Sequence, residues 1–156
     1  DPSTYRKYAL ASVTTHDLPP TAGYLQFEHV KLREQLHLLS GPVEEFQASA
    51  TAERDAMMDR LVESGLITPE VAGDVEGHIQ EIVEAMHKML LKSPSVLLQA
   101  ALVDGVGETR TQNQPGTNNE YPNWRIPLAD GEGNVVPLEK LFDEPRLQEI
   151  TAIMRG

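Results

Sequence analysis

A chain of 156 residues suits one domain with a sizeable core, and is short for a closed eight-stranded α/β barrel, which usually needs about 250 residues. With 40% apolar and 24% charged residues wholesale disorder is excluded, and a net charge of −11 without a Lys/Arg cluster argues against nucleic acid and acidic membrane surfaces while leaving neutral ligands such as sugars open. The absence of cysteine removes disulfides, thiol nucleophiles and thiolate metal sites, and no apolar run approaches the roughly 20 residues of a membrane span.

In chain order, Tyr8 to Thr15 (YALASVTT) reads as a short buried strand that Pro19 and Pro20 force to stop, with His16 and Asp17 at its carboxyl end. From Thr21 the pattern is helical, with Phe27, Val30, Leu32, Leu36, Leu38 and Leu39 on an apolar face until Gly41-Pro42. Ala52 to Ser64 is a second amphipathic helix. In a third, Thr68 caps, Pro69 takes the first helical position, and Val71, Val75, Ile79, Ile82, Val83, Met86 and Leu90 run at helical spacing to about Lys92. Val96 to Val103 (VLLQAALV) is either a helical turn plus a strand or one buried helix, and Asp104-Gly105 and Gly107 break it as a strand end would. Residues 109–134 form a long Asn-, Pro- and Gly-rich loop, the kind of segment that commonly carries function. Two short helices close the chain, around Leu138, Leu141 and Phe142 and around Leu147, Ile150 and Ile153, the second with Asp143 as cap and Pro145 in its first turn.

This inventory is predominantly helical with two strands, and a two-stranded parallel sheet is not a stable unit by itself. Either the domain is essentially helical, or its strands belong to a larger sheet. The opening DPSTYRKY, without an initiator methionine, fits a processed precursor or a piece of a longer polypeptide.

Most candidate constellations have bland readings. His16-Asp17 at a strand end sits where ligand-facing loops place their chemistry, but an Asp there can equally cap the helix after the prolines. A metal-binding His-Asp pair would need further ligands from His29, His37, His78 or His87. His16-Asp17 lies between a β-branched run and two prolines, and His78 and His87 fall on opposite sides of one helix, so no metal centre is expected. The methionines read as packing residues, the DGVGE glycines as a turn, and AERDAMMDRLVE as a solvated helical face. The loop QNQPGTNNEYPNWRIPL is different, since it gathers amides and aromatics in a mixture suited to a polyhydroxylated ligand. Within it Asn113 has a turn residue as its alternative reading, and Trp124, the only tryptophan, is expected as a core anchor.

Three segments, SVTTHDLPPTAGY, SPSVLLQAALVDGVGE and NQPGTNNEYPNWRIPL, resemble in this order the carboxyl-terminal part of the 4-α-glucanotransferases, the amylomaltase or disproportionating-enzyme family, glycoside hydrolase family seventy-seven. The resemblance implies an α/β fold: the C-terminal segment of a (β/α)8 TIM barrel spanning residues 1–156, with a variable helical portion at about 40–92. It implies transfer of α-1,4-glucan segments between maltooligosaccharides by a retaining double displacement. Asp17 matches the family's third carboxylate, His16 a histidine donating to hydroxyls of the same sugar, and Asn113 a substrate-contacting position. Leu25 departs from the pattern, standing where relatives often show a second aromatic. No segment matches the nucleophile or the acid/base residue, so the chain is expected to be inactive alone and to work with an amino-terminal part of the same cytoplasmic enzyme, without cofactor or metal.

The competing class is a non-catalytic helical interaction module. It requires a continuous exposed apolar face on the central helices, whereas the barrel reading requires Asp17 and Asn113 to project from one edge.

Overall fold

The computed structural model describes residues 1–156. After a 3-10 turn at Pro2–Thr4, strand β1 covers only Leu10–Ser12, and β2, Leu97–Gln99, pairs with it in parallel, Leu10 opposite Leu97 and Ser12 opposite Gln99. Val96 to Val103 is neither a helical turn leading into a strand nor one buried helix, since the strand comes first and a helix begins at its end. β2 is followed by α6, Leu102–Val106, so Asp104 and Gly105 are helical, and only Gly107, at φ 76°, ends the run in the left-handed region that glycine enters without penalty. Leu10 and Leu97 each leave more than half their surface exposed while Ala11 is buried, so one face of this small sheet and its outer edges are left uncovered.

Between the strands lie α1 (Thr21–Leu25), α2 (Glu28–Gln35), α3 (Val43–Glu63), α4 (Pro69–Gly73), a 3-10 turn (Glu76–His78) and α5 (Ile79–Leu90). The single helix expected from Thr21 to Gly41 is therefore two. Phe27 adopts φ 60° where α1 meets α2, its ring covered by the Arg54 guanidinium at 4.2 Å while Arg54 Nη1 donates to the Leu25 carbonyl. Arg54 thus closes a helix end, and the face of α3 that carries it is not wholly solvated. α2 stops well before Gly41 because His37, at φ 55°, takes the left-handed position and the Leu38 amide reaches back to the Arg33 carbonyl. Leu38 is consequently outside the helix and Val30 alone in α2 is buried.

α3 begins nine residues before the expected Ala52, its Glu44 and Glu45 sitting against the positive end of the helix dipole. Thr68 and Pro69 start α4 as the sequence predicts, with Thr68 Oγ1 accepting from the Val71 amide. The expected continuous helix to Lys92 breaks at Asp74, whose carboxylate accepts from the Gly77 amide and so competes with the helical ladder. α5 resumes with Ile82, Val83 and Ala85 buried, and these meet Leu61 of α3, Leu25 of α1 and Ile150 of the last helix in one core. Leu25 is fully buried there, which explains an aliphatic residue at that position. Each such fully buried aliphatic side chain contributes about 1.5–3 kcal/mol.

Residues 107–137 are irregular apart from one bridge between Ala129 and Val135. A 3-10 helix (Leu138–Asp143) precedes α7 (Pro145–Arg155), which packs on α5 and α6. Asp143 does not cap α7. It lies within the 3-10 helix, Glu144 occupies the cap without a side-chain bond, and Pro145 is first in the helix. No helix is long and apolar enough to cross a membrane.

Candidate functional site

Asp17 stands on a turn, five residues beyond the end of β1 and not directly at it. The Leu18 amide donates to the Thr15 carbonyl at 3.1 Å, which makes His16 and Asp17 the two central turn residues and pushes both side chains outward. Thr14, itself buried, closes the loop from behind by donating through Oγ1 to the Pro19 carbonyl at 2.7 Å. Asp17 caps nothing. The N-terminus of α1 is satisfied instead by Asp104, whose Oδ1 accepts from the Thr21 amide at 2.8 Å and whose Oδ2 accepts from the Thr21 hydroxyl at 2.7 Å.

The second candidate residue arrives from 96 positions away. Asn113 Nδ2 donates to Asp17 Oδ1 at 2.7 Å, and His16 Nε2 lies 3.3 Å from Oδ2, so both carboxylate oxygens have a partner while the side chain stays about half exposed. His16, Asp17 and Asn113 therefore form one cluster on one edge. Beside it is Trp124, its indole centroid 5.3 Å from the His16 ring at an interplanar angle of 44°. Trp124 is no core anchor. It is 63% exposed and adopts φ 61°, because the Asn123 side chain is committed inward to the Gln114 amide and Thr117 Oγ1, and the chain turns out immediately after it.

The loop that presents Asn113 is braced by groups that sequence patterns do not reveal. Glu108 is fully buried, and its carboxylate accepts from the amides of Thr109, Arg110 and Ala129 and from Nε and Nη2 of Arg110. Hydrogen bonding to that carboxylate raises the Arg110 pKa further above its already high value. The Tyr121 hydroxyl donates to the Thr111 carbonyl at 2.7 Å, and burial raises its pKa. The Thr111 hydroxyl lies between the carbonyls of Asn113 and Leu18, tying the two loops together.

A cleft of about 500 Å³ opens at Asp17 and Leu18 and runs past Tyr24 and His29 to Gln114 and Tyr121. Its polar side chains outnumber its apolar ones, as a site for a hydroxyl-rich ligand requires. The His29 pKa is lowered, chiefly by burial and then by the Arg33 charge, which favours the neutral imidazole on this wall. Of the other histidines, His37 ends α2, His78 lies 3.2 Å from the Glu81 carboxylate, and His87 is buried with Nε2 3.7 Å from Asp104 Oδ2. They do not converge on Asp17.

Behind the site, burial raises the Asp104 pKa against the opposing effect of the Thr21 hydrogen bonds. The grouping of Asp104, Thr21 and His87 is not visible in the sequence, where Asp104-Gly105 reads as a turn and His87 only as a possible metal ligand, because only the fold brings α1, α5 and α6 together. Trp124 carried one signal, its place in an amide- and aromatic-rich loop.

Comparison with known proteins places the chain in a family. The glycoside hydrolase family 77 profile, described as 4-alpha-glucanotransferase, matches residues 1–131. The chain is 48% identical over 152 residues to the 4-alpha-glucanotransferase of Mycobacterium tuberculosis (strain H37Rv), covering 97% of this chain and 20% of that protein. It is 27% identical over 149 residues to the 4-alpha-glucanotransferase of Haemophilus influenzae, again 20% of that protein. The crystal structure of amylomaltase from Corynebacterium glutamicum superposes with a TM-score of 0.89 at 40% identity, covering 98% of this chain and 22% of that one. The chain thus spans 20% of the length of these curated relatives. With the profile matched over most of its residues, it belongs to the 4-alpha-glucanotransferase family, glycoside hydrolase family 77.

Proposed function

We propose that this chain supplies one carboxylate of a three-carboxylate glucan-transferring site, as the closing part of a (β/α)8 barrel in a larger enzyme. In this reading residues 1–156 form one unit, residues 40–92 are its variable helical portion, and the uncovered strands β1 and β2 continue a sheet whose other strands lie outside the chain. The observation that carries it is the Asp17 carboxylate, half exposed at an open cleft and aligned by Asn113 Nδ2 at 2.7 Å.

The reaction is a retaining double displacement. A nucleophilic carboxylate forms a glycosyl-enzyme, an acid/base carboxylic acid protonates the departing oxygen and then deprotonates the acceptor 4-hydroxyl, and both come from outside this chain. Asp17 accepts hydrogen bonds from sugar hydroxyls and offsets the charge of the oxocarbenium-like transition state. A unit charge 4 Å away at an effective dielectric near 20 is worth about 4 kcal/mol. His16 donates to hydroxyls of the same ring, and Asn113 holds the carboxylate in place while its carbonyl oxygen remains to meet substrate. The acidic, cysteine-free composition supports a cytoplasmic setting.

The interaction-module alternative finds no support, because no large apolar side chain of α3, α4 or α5 is exposed. Incubated with maltotriose, the larger enzyme is expected to release glucose and form longer maltooligosaccharides, while the purified 156-residue chain releases none. Glucose release by the chain alone would contradict the assignment of nucleophile and acid/base to other segments.

A further inference from the structure

We infer that Trp124 is a stacking platform for a second glucosyl unit, next to the ring that Asp17 and His16 would hold. This rests on the glucan-transfer reading and extends it to a residue which that reading does not use. Two unfavourable features coincide at Trp124. The largest apolar side chain of the chain is 63% exposed, and its backbone sits at φ 61°, a region where a bulky residue is an outlier. Strain of this kind persists where the surroundings over-determine it, and it concentrates at ligand sites.

The surroundings do over-determine it. The Trp124 amide donates to the Gln112 carbonyl at 2.9 Å, the Arg125 amide to the Pro122 carbonyl at 3.0 Å, and Asn123 is held through both ends of its amide. Asn123, of a type that tolerates left-handed angles, would be the ordinary occupant of such a position. Its side chain is used for bracing, and the indole is placed outward.

The exposed face also has the right neighbours. Asn118, Asn119, Glu120, Pro122 and Arg125, its neighbours along the loop, are exposed, and four of the five are polar. The indole meets His16 at a tilt of 44°, so the imidazole does not cover it face to face. His16 in turn touches Asp17. A pyranose ring presents C–H groups on one face and hydroxyls at its rim, which matches an aromatic face bordered by amides. The ligand class is therefore a neutral α-glucan at least two rings long, one ring on the indole and the next at Asp17.

The test uses the larger enzyme with maltotriose and reads kcat, KM and the melting temperature. Trp124→Ala is expected to raise KM about tenfold with a much smaller change in kcat, the size of a good aromatic contact. Trp124→Phe recovers most of that loss, since it keeps an aromatic face. A KM within twofold of the parent for Trp124→Ala would overturn the inference. So would equal damage in both variants together with a shared fall in melting temperature, which would mark the indole as packing against another segment. Asp17→Asn reports on the underlying reading separately. If its turnover collapses while Trp124→Ala is silent, only the platform fails; if its turnover is unchanged while Trp124→Ala raises KM, the role of the acid fails and the platform stands.

Discussion

Asp17→Asn in the larger enzyme is expected to lower kcat about 10³-fold, while stability changes by no more than about 0.5 kcal/mol. The size follows from the charge alone. The substitution removes about 4 kcal/mol of attraction to a developing cation and keeps shape and volume. Stability is spared because Asp17 is half exposed on a turn, and its bond from Asn113 Nδ2 can be accepted equally by an amide oxygen. Steady-state kinetics on maltotriose with a parallel thermal melt checks both halves. An unaltered kcat would remove Asp17 from the chemistry, and a large loss of stability would make it a structural residue.

The second large effect is expected at Gly23, six residues beyond Asp17. A Cβ there would overlap the backbone carbonyl oxygen of Thr109 and lie 3.0 Å from its carbon. In an exposed helix, Gly→Ala stabilises by about 1 kcal/mol, so propensity and packing oppose each other here. Packing wins, because the obstacle is main chain and cannot rotate away. Gly23→Ala is expected to cost about 2 kcal/mol net, read as a melting temperature lowered by about 5 °C. Any relief of the clash must push the Thr109 segment, which begins the loop carrying Asn113, so activity should fall as well. A melting temperature unchanged or raised would mean that α1 and this loop do not meet so closely.

What the sequence reveals and what it hides divide along a physical line. Thr68-Pro69 and the first strand were legible from local chemistry, and the family resemblance pointed to Asp17 and Asn113 on one edge, though not to the direct bond between them across 96 positions; the sequence leaves the second strand open between a strand and a buried helix. The breaks at Phe27 and Asp74 were not legible. The apolar spacing runs through both, and what ends the helices is Arg54 from the next helix in one case and an Asp side chain competing for an amide in the other. Glu108 and Asp104 are charged residues that composition assigns to the surface, yet both are buried, satisfied by Ala129 and by Thr21 respectively, far along the chain. Trp124 failed in the opposite sense. A lone tryptophan belongs in a core by default, and here the commitment of Asn123 to the loop interior turns it outward.

The central claim is that the acid at residue 17 acts on positive charge, and binding of a protonated, basic glucose-ring mimic tests it most directly. In the larger enzyme Asp17→Asn is expected to weaken the cationic mimic about 100-fold and the neutral maltotriose less than about tenfold, because only the former shares the charge of the transition state. Equal losses for the two ligands would contradict the account, leaving Asp17 as a hydroxyl contact without an electrostatic part in glucan transfer.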